Sequence, residues 1–293
     1  MKPPPFSYHD PATLEQAVEL LATLDNAKAL AGGQSLMPML NMRFVLPDHV
    51  VDLNRIAELA GITRRGDTLE IGAMTRQRDL EFSAEVAQAC PLMSEALTYV
   101  GHRQTRNRGT IGGSLCHLDP AAELPTVAAA LDAIIEVVGP EGRRSIPFAE
   151  FPVGYMTPSI DFAELVTRIT VPVWPADAGH SFVEFSRRHG DFAIVSAAVM
   201  LLLDDAGRIT RAALALGGVG AVPLRMSVVE AALVGEVGSP ELFRRVAEMC
   251  RTVEAVGDVY VPASYRQHLA CVMSRRALDT AFARAGRSAA ALN

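Results

Sequence analysis

Two short glycine-centred loops, Ala31-Gly32-Gly33-Gln34-Ser35 and Thr110-Ile111-Gly112-Gly113-Ser114, are each set between stretches that read as regular structure. They restrict the fold more than any other feature. Glycine adopts positive φ freely and lets a backbone approach a neighbour or an anion closely, so successive amides can turn inward as a nest. Each amide bond to a charged oxygen contributes roughly 1.5–3 kcal/mol. Two such cradles with hydroxyl residues beside the glycines suit a dianionic pyrophosphate gripped from both sides. Neither loop follows G-x-G-x-x-G or G-x-x-x-x-G-K-[ST], which disfavours an ordinary Rossmann fingerprint and a P-loop. The expected ligand is a dinucleotide held by another fold.

The rest of the composition bounds that reading. A chain of 293 residues predicts about two domains. Apolar residues at 49% and charged residues at 20% supply material for real cores. The net charge of −6 argues against nonspecific nucleic-acid binding, which needs a basic footprint. The start of the chain, Met-Lys-Pro-Pro-Pro-Phe, lacks an apolar signal region, and the run Val195 to Leu203 is stopped by Asp204-Asp205 well short of the ~20 residues a membrane span needs. A cytoplasmic protein with no transmembrane segment is expected. Cys90, Cys116, Cys250 and Cys271 are scattered without ligand spacing, so no metal or iron–sulfur cluster is expected on this polypeptide.

Periodicity predicts an α+β chain. Leu14, Val18 and Leu21 mark a helix over Thr13 to Leu24, and Ala27 to Ala31 reads as a strand feeding the first glycine loop. His49 to Leu53 and Asp67 to Ala73 read as strands, Thr75 as the cap of a helix through Val86, and a further helix as ending near Val100. The basic stretch Arg103 to Arg108 precedes the second cradle and allows three readings: a solvated loop, an anchor for the cradle, or a dock for a partner. A helix from Ala121 to Leu131 follows, then a hairpin from Ala133 to Ile146 and a strand from Leu165 to Val171. Pro172-Val173-Trp174-Pro175 reads as a hinge between domains. Beyond it, Ile194 to Leu203 and Arg208 to Leu216 form a hairpin about Asp204-Asp205-Ala206-Gly207, Leu242, Val246, Met249, Val253 and Val256 form one apolar helical stripe, and Tyr265 to Arg284 is the last helix.

Several motifs carry a resemblance. The first cradle with Leu36-Met37-Pro38 and Arg43, the run Arg106 to Ser114, Asp119-Pro120-Ala121-Ala122-Glu123-Leu124-Pro125, Gly190-Asp191-Phe192-Ala193-Ile194-Val195 and Tyr265-Arg266-Gln267-His268-Leu269-Ala270 occur in order over nearly the whole chain. In this the chain resembles the FAD-binding medium subunit of the molybdenum hydroxylases, the xanthine dehydrogenase and aerobic carbon monoxide dehydrogenase family.

The resemblance implies a two-part FAD-binding domain of the vanillyl-alcohol-oxidase type over 1–175, with subdomains of about 1–57 and 58–175. A smaller α/β domain of the CO-dehydrogenase flavoprotein type would follow over 176–293. It implies noncovalent FAD, a large molybdopterin-binding partner, a small partner with two [2Fe-2S] clusters, and a dimer of heterotrimers. The chain would be the electron-transfer subunit, taking electrons from those clusters and passing them to an external acceptor, with no catalytic acid or base of its own. Carried over position by position, Ala29, Leu30, Ala31, Gly32, Gly33, Gln34, Ser35 and Leu36, with Thr110, Ile111, Gly112, Gly113 and Ser114, would hold the pyrophosphate. Glu123 would stand where the family places an acidic FAD contact, Val166 at a backbone contact, and Phe192 beside the isoalloxazine.

Simpler roles compete at these positions. Glu123 near a helix start suits the helix dipole, and Phe192 suits core packing. Cys116 and His117, beside the second cradle, read as a small packed thiol and a hydrogen-bonded imidazole. The alternative function is a self-sufficient FAD-dependent oxidase or dehydrogenase of a small organic substrate. It would need a substrate domain with a base near the flavin, which about 115 residues after the hinge hardly supply. The substrate and the final electron acceptor stay open.

Overall fold

Residues 2–286 are described by the computed structural model. The chain begins with β1 (Ser7–His9), α1 (Leu14–Thr23), β2 (Ala27–Leu30), α2 (Leu36–Asn41) and β3 (His49–Asp52). Helix α1 starts where Thr13 accepts from the Gln16 amide, and Leu14, Ala17, Val18 and Leu21 form its buried face. That face packs with Val51, Leu53, Ile56 and Leu59. The three strands form a parallel sheet in the order β1-β3-β2.

A second unit contains β4 (Ile62–Arg65), β5 (Thr68–Gly72), α3 (Gln77–Glu81), α4 (Ala84–Ala89), α5 (Pro91–Leu97), α6 (Arg103–Arg108), α7 (Ile111–His117) and α8 (Glu123–Ala130). It continues through β6 (Ile134–Gly139), β7 (Gly142–Pro147), the short ribbon β8 (Pro152–Gly154) and β9 (Thr157–Pro158), and β10 (Leu165–Pro172). Its main sheet has the antiparallel order β4-β5-β10-β6-β7. The helix expected from Thr75 to Val86 is instead two helices: the turn at Phe82 and Ser83 breaks it, Ser83 caps α4, and the Thr75 hydroxyl bonds across to both backbone groups of Gly61.

The last unit comprises β11 (Gly179–Phe185), β12 (Val195–Leu203), β13 (Ile209–Gly217), β14 (Leu224–Arg225), α9 (Ser227–Leu233), α10 (Pro240–Ala247) and α11 (Ala263–Arg284). Its four strands are antiparallel in sequence order. The apolar run of β12 serves two cores at once. Val195, Ala197, Val199 and Leu201 face the layer of α9, α10 and α11, while Ala198 and Met200 join the core of the preceding unit. A strand buried on both faces reads as a near-continuous apolar run, which in β12 is interrupted by Ser196.

Three expectations are corrected here. The segment Pro172 to Pro175 is no free hinge: Trp174 is buried in the same core as Phe182, Ala198, Met200, Ala213 and Ala215, and the Arg211 guanidinium lies 3.8 Å over its ring. The stripe to Val256 is not one helix. Helix α10 gives way to a tighter turn over Glu248–Thr252, after which the chain runs extended and Val256 is 56% exposed. The basic stretch is helix α6, not a loop. Among the described residues no helix is long and apolar enough to cross a membrane.

Candidate functional site

The two glycine loops, 78 positions apart at Gly32 and Thr110 in the sequence, meet in space. Ala29 and Leu30 end β2, Ala31 to Ser35 form the loop, and Leu36 begins α2. A Cβ on Gly32 would overlap the Arg108 carbonyl and lie 2.8 Å from Gly109 Cα, while one on Gly113 would lie 3.4 Å from Ala31 Cβ. The loops therefore touch through bare backbone, which only glycine permits.

Their chemistry differs. In the first loop Gly33 has φ +71°, and among the described residues the amides of Gly32, Gly33, Gln34 and Ser35 have no acceptor. Four consecutive free amides around a positive-φ glycine make a nest of the kind that binds phosphate oxygens. The second loop is the start of α7, and its amides are already used. Ile111 donates to Thr75 O at 3.2 Å, Gly112 to Ala73 O at 2.8 Å, Gly113 to Thr110 Oγ1 at 3.1 Å and Ser114 to Thr110 O at 3.1 Å. The expectation of two amide cradles is corrected to one amide cradle and one backing wall. In the wall, the glycines allow contact: a Cβ on Gly112 would sit 2.6 Å from Ala73 Cβ. Ser114 retains a hydroxyl at this edge, whereas that of Thr110 caps α7 on Gly113 N and the residue is buried.

Arg76 ties the two loops together, a role that no sequence motif signalled. Its guanidinium donates to Arg108 O at 2.5 Å and to Asn54 Oδ1, and Asn54 Nδ2 donates to Ala31 O at 3.0 Å. Gln77 N donates to Gly109 O at 2.8 Å. Of the three readings of the basic stretch, anchoring fits Arg106. It makes a two-pronged pair with Glu81 at 2.8 and 3.1 Å, and both side chains are mostly buried.

Glu123 is the first residue of α8 and 6% exposed. Burial pushes its carboxyl up to about 7, with the charge of Asp119 adding to the effect. Glu184 on β11 is raised to about 8 by burial and by the neighbouring Glu123, and its Oε2 is buried without a hydrogen-bond partner among the described residues. Ser196 lies opposite Glu184 and Gly217 opposite Ser196, so all three share a sheet face. A Cβ on Gly217 would meet Thr126 of α8 and the Ser196 hydroxyl, so this face sits directly on α8. A layer of polar groups thus lies at the seam between the two larger units. Glu184 and Ser196 were not singled out in the sequence; a charged or hydroxyl residue inside an apolar strand pattern was the available signal.

Val166 is buried in β10, beside the bulge that separates it from Arg168, and α7 packs on this strand. Thr167 O accepts from Ala73 N at 3.0 Å, which links β10 to the wall behind Gly112. Phe192 is 67% exposed on the loop between β11 and β12, so the core-packing alternative does not hold. That loop crosses to the second unit at Gly190, where a Cβ would sit 2.5 Å from the His102 ring. Burial pushes the Cys116 thiol up to about 12, so a nucleophilic thiolate has no support there. Burial lowers the pKa of the His117 imidazole, whose ring makes no hydrogen bond among the described residues, against expectation. Among the described residues no cluster of His, Cys, Asp and Glu could hold a metal ion.

The arrangement fits a dinucleotide such as FAD. It offers an amide nest that side chains cannot fill, a wall placed against it, and a polar seam leading to the last unit. Comparison with known proteins agrees with the geometry. The family model described as FAD binding domain in molybdopterin dehydrogenase matches residues 4–174, and that described as CO dehydrogenase flavoprotein C-terminal domain matches residues 180–281. The chain is 41% identical over 287 residues to the 6-hydroxypseudooxynicotine dehydrogenase complex subunit alpha of Paenarthrobacter nicotinovorans, with 97% of each chain covered. It is 36% identical over 286 residues to the carbon monoxide dehydrogenase medium chain of Hydrogenophaga pseudoflava, covering 97% of this chain and 99% of the relative. A solved structure of carbon monoxide dehydrogenase from Hydrogenophaga pseudoflava superposes with a TM-score of 0.94 at 38% identity, covering 97% and 100% of the two chains.

Proposed function

The chain belongs to the family of FAD-binding medium subunits of molybdenum hydroxylases, and from that premise we propose that it is the electron-transfer subunit of such a complex. When bound, FAD would supply the redox chemistry that connects two [2Fe-2S] clusters of a small partner to an external acceptor. Substrate would be hydroxylated at the molybdopterin of a large partner. A dimer of heterotrimers in the cytoplasm completes the proposal.

The chain's own residues bind and orient the cofactor. Gly32, Gly33, Gln34 and Ser35 would present amides to the pyrophosphate, with Ala29, Leu30, Ala31 and Leu36 setting the path of that loop. Thr110 to Ser114 would close the opposite side by contour and by the Ser114 hydroxyl. A Glu123 carboxyl titrating near neutrality can donate as well as accept a hydrogen bond to the cofactor. Val166 and Phe192 would contribute at the flavin end. The domain division at 175/176 belongs to the same reading, supported by the grouping of the sheets and by family matches that end at 174 and resume at 180.

The observation that carries the assignment is the run of four amides at Gly32 to Ser35 that have no acceptor among the described residues, held against Arg108 and Gly109. Titration of the purified chain with FAD, read by visible absorption and followed by acid precipitation, tests it. The expected result is one flavin per chain with the colour released to the supernatant. Colour retained in the pellet would overturn noncovalent binding. Absence of flavin from both the chain and its co-expressed complex would overturn the assignment.

A further inference from the structure

The loop between β11 and β12 carries Phe192 and is closed at its neck by one backbone bond, Ile194 N to Phe185 O at 2.7 Å. Behind that neck stands Arg266, on the first turns of α11 and 72 positions further along the chain. Its Nη1 donates to Ile194 O and to Gly218 O, each at 2.6 Å, and its Nη2 to Asp258 Oδ2 at 2.6 Å. The side chain is only 13% exposed. A guanidinium has its donors fixed in one plane, so these three acceptors determine its position and it determines theirs.

Each acceptor belongs to a different segment. Ile194 is the neck of the loop. Gly218, with φ +75°, donates its own amide to Pro120 O at 2.7 Å, just ahead of Glu123. A Cβ at Gly218 would sit 2.6 Å from Ile194 O, so loop neck and glycine are in direct contact. Asp258 holds the turn at Tyr260 and Val261, and the Tyr260 ring lies 4.6 Å under the Arg187 guanidinium at the other side of the loop. The loop tip meets His102, ahead of α6 and the backing wall.

We propose that Arg266 is a positioning residue that locks the neck of the 186–194 loop to the Pro120–Glu123 corner, and so sets where Phe192 stands over the cofactor crevice. This rests on the FAD reading for what Phe192 faces; the lock itself is a property of the chain. The charge of Arg266 is used on two backbone carbonyls and a carboxylate, which are contacts that fix a loop. Three of its five N–H donors are engaged in these contacts, and Nε is buried, so the guanidinium is enclosed at the neck.

The test uses the full chain as wild type, Arg266→Gln, Arg266→Lys and Gly218→Ala. Gly218→Ala disturbs the neck from the other side with Arg266 intact. Arg187 and Arg188 are exposed on the loop, so trypsin cleavage after them, measured by mass spectrometry on the flavin-free chain, reports how often the loop opens. Expected is cleavage about tenfold faster or more in Arg266→Gln and Gly218→Ala, as loss of a charge-assisted bond implies. Rates at other basic sites should change little, and Arg266→Lys should fall in between. At saturating FAD, Arg266→Gln should also change the visible circular dichroism of the bound flavin. Unchanged loop cleavage, or an equal acceleration at every basic site with a lowered Tm, would overturn the lock. A chain that binds no FAD would overturn the reading of the site, while proteolysis would still decide the lock.

Discussion

Gly32 has no space for a side chain, because its Cβ position is occupied by the Arg108 carbonyl, and both atoms are backbone. Gly32→Ala must therefore separate the two loops, at a cost of about 1–3 kcal/mol typical of overpacking. At Gly33 the restriction is conformational, with φ +71° and Leu30 and Met37 side chains 3.2 Å from a Cβ. Gly33→Val is expected to weaken FAD binding severely, measured as flavin content after gel filtration; wild-type content would remove the nest from the site. Glu123 carries a second prediction. Its carboxyl is raised from the ordinary 4.5 to about 7, so between those values the folded chain keeps a proton that the unfolded chain releases. The flavin-free chain should accordingly lose stability as pH rises through that window, by about 3 kcal/mol in all. Glu184, raised in the same direction, extends the loss to higher pH. Glu123→Gln should flatten the dependence of Tm on pH between 5 and 8 and raise Tm at pH 8. An unchanged slope would assign the titration elsewhere.

At the level of elements, helices α6 and α8 are held by arginines that the sequence pattern did not separate from solvated ones. Arg106 pairs with Glu81 where both are mostly buried, so Glu81→Ala should destabilise the chain by about 3–5 kcal/mol by stranding a charge. Chemical denaturation of the single and double variants checks this: the double variant should recover part of the loss, and strict additivity would deny the pair. Arg225 reaches from β14 to the carbonyls of Ala129 and Ala130 at 2.7 and 3.0 Å and to Asp132 at 2.8 Å, closing the C-terminal end of α8. The hairpins, α1 and α11 were legible because periodicity and turn residues act within a few positions. The break at Phe82 and Ser83 and the end of helix beyond Ala247 were not. The first is made by Ser83 capping a new helix, and an apolar spacing alone does not say whether the backbone between its members stays helical.

Across the whole molecule, the units are joined by a continuous core, not linked by a hinge. Phe182 and Ala198 of the last sheet share a core with Leu92 and Val127, and Glu95 accepts from the Phe182 amide at 3.0 Å and from Arg284 at 2.9 Å. Residues 1–175 expressed alone should thus expose an apolar face and bind a hydrophobic dye, whereas the full chain should unfold in one transition. A cooperative, dye-silent fragment would show that this seam is not needed for folding. A joined seam also gives a reason for the polar layer of Glu123, Thr126, Glu184 and Ser196: groups placed there are desolvated by both units at once.

The sequence by itself determined the α+β class and most helices and strands, because these rest on local periodicity and turn residues, and the family and its cofactor through the resemblance carried by its ordered motifs. It marked both glycine loops as candidates for one site, and the two loops meet in space. Which loop keeps free amides was decided only by tertiary structure, since the same Gly-Gly pair donates outward in one place and, in the other, has its amides taken by Ala73 and Thr110. The same holds for Arg76, Glu184 and Arg266. Their roles come from partners distant along the chain, and an isolated arginine or glutamate in a sequence carries no record of the carbonyl or carboxyl it will meet.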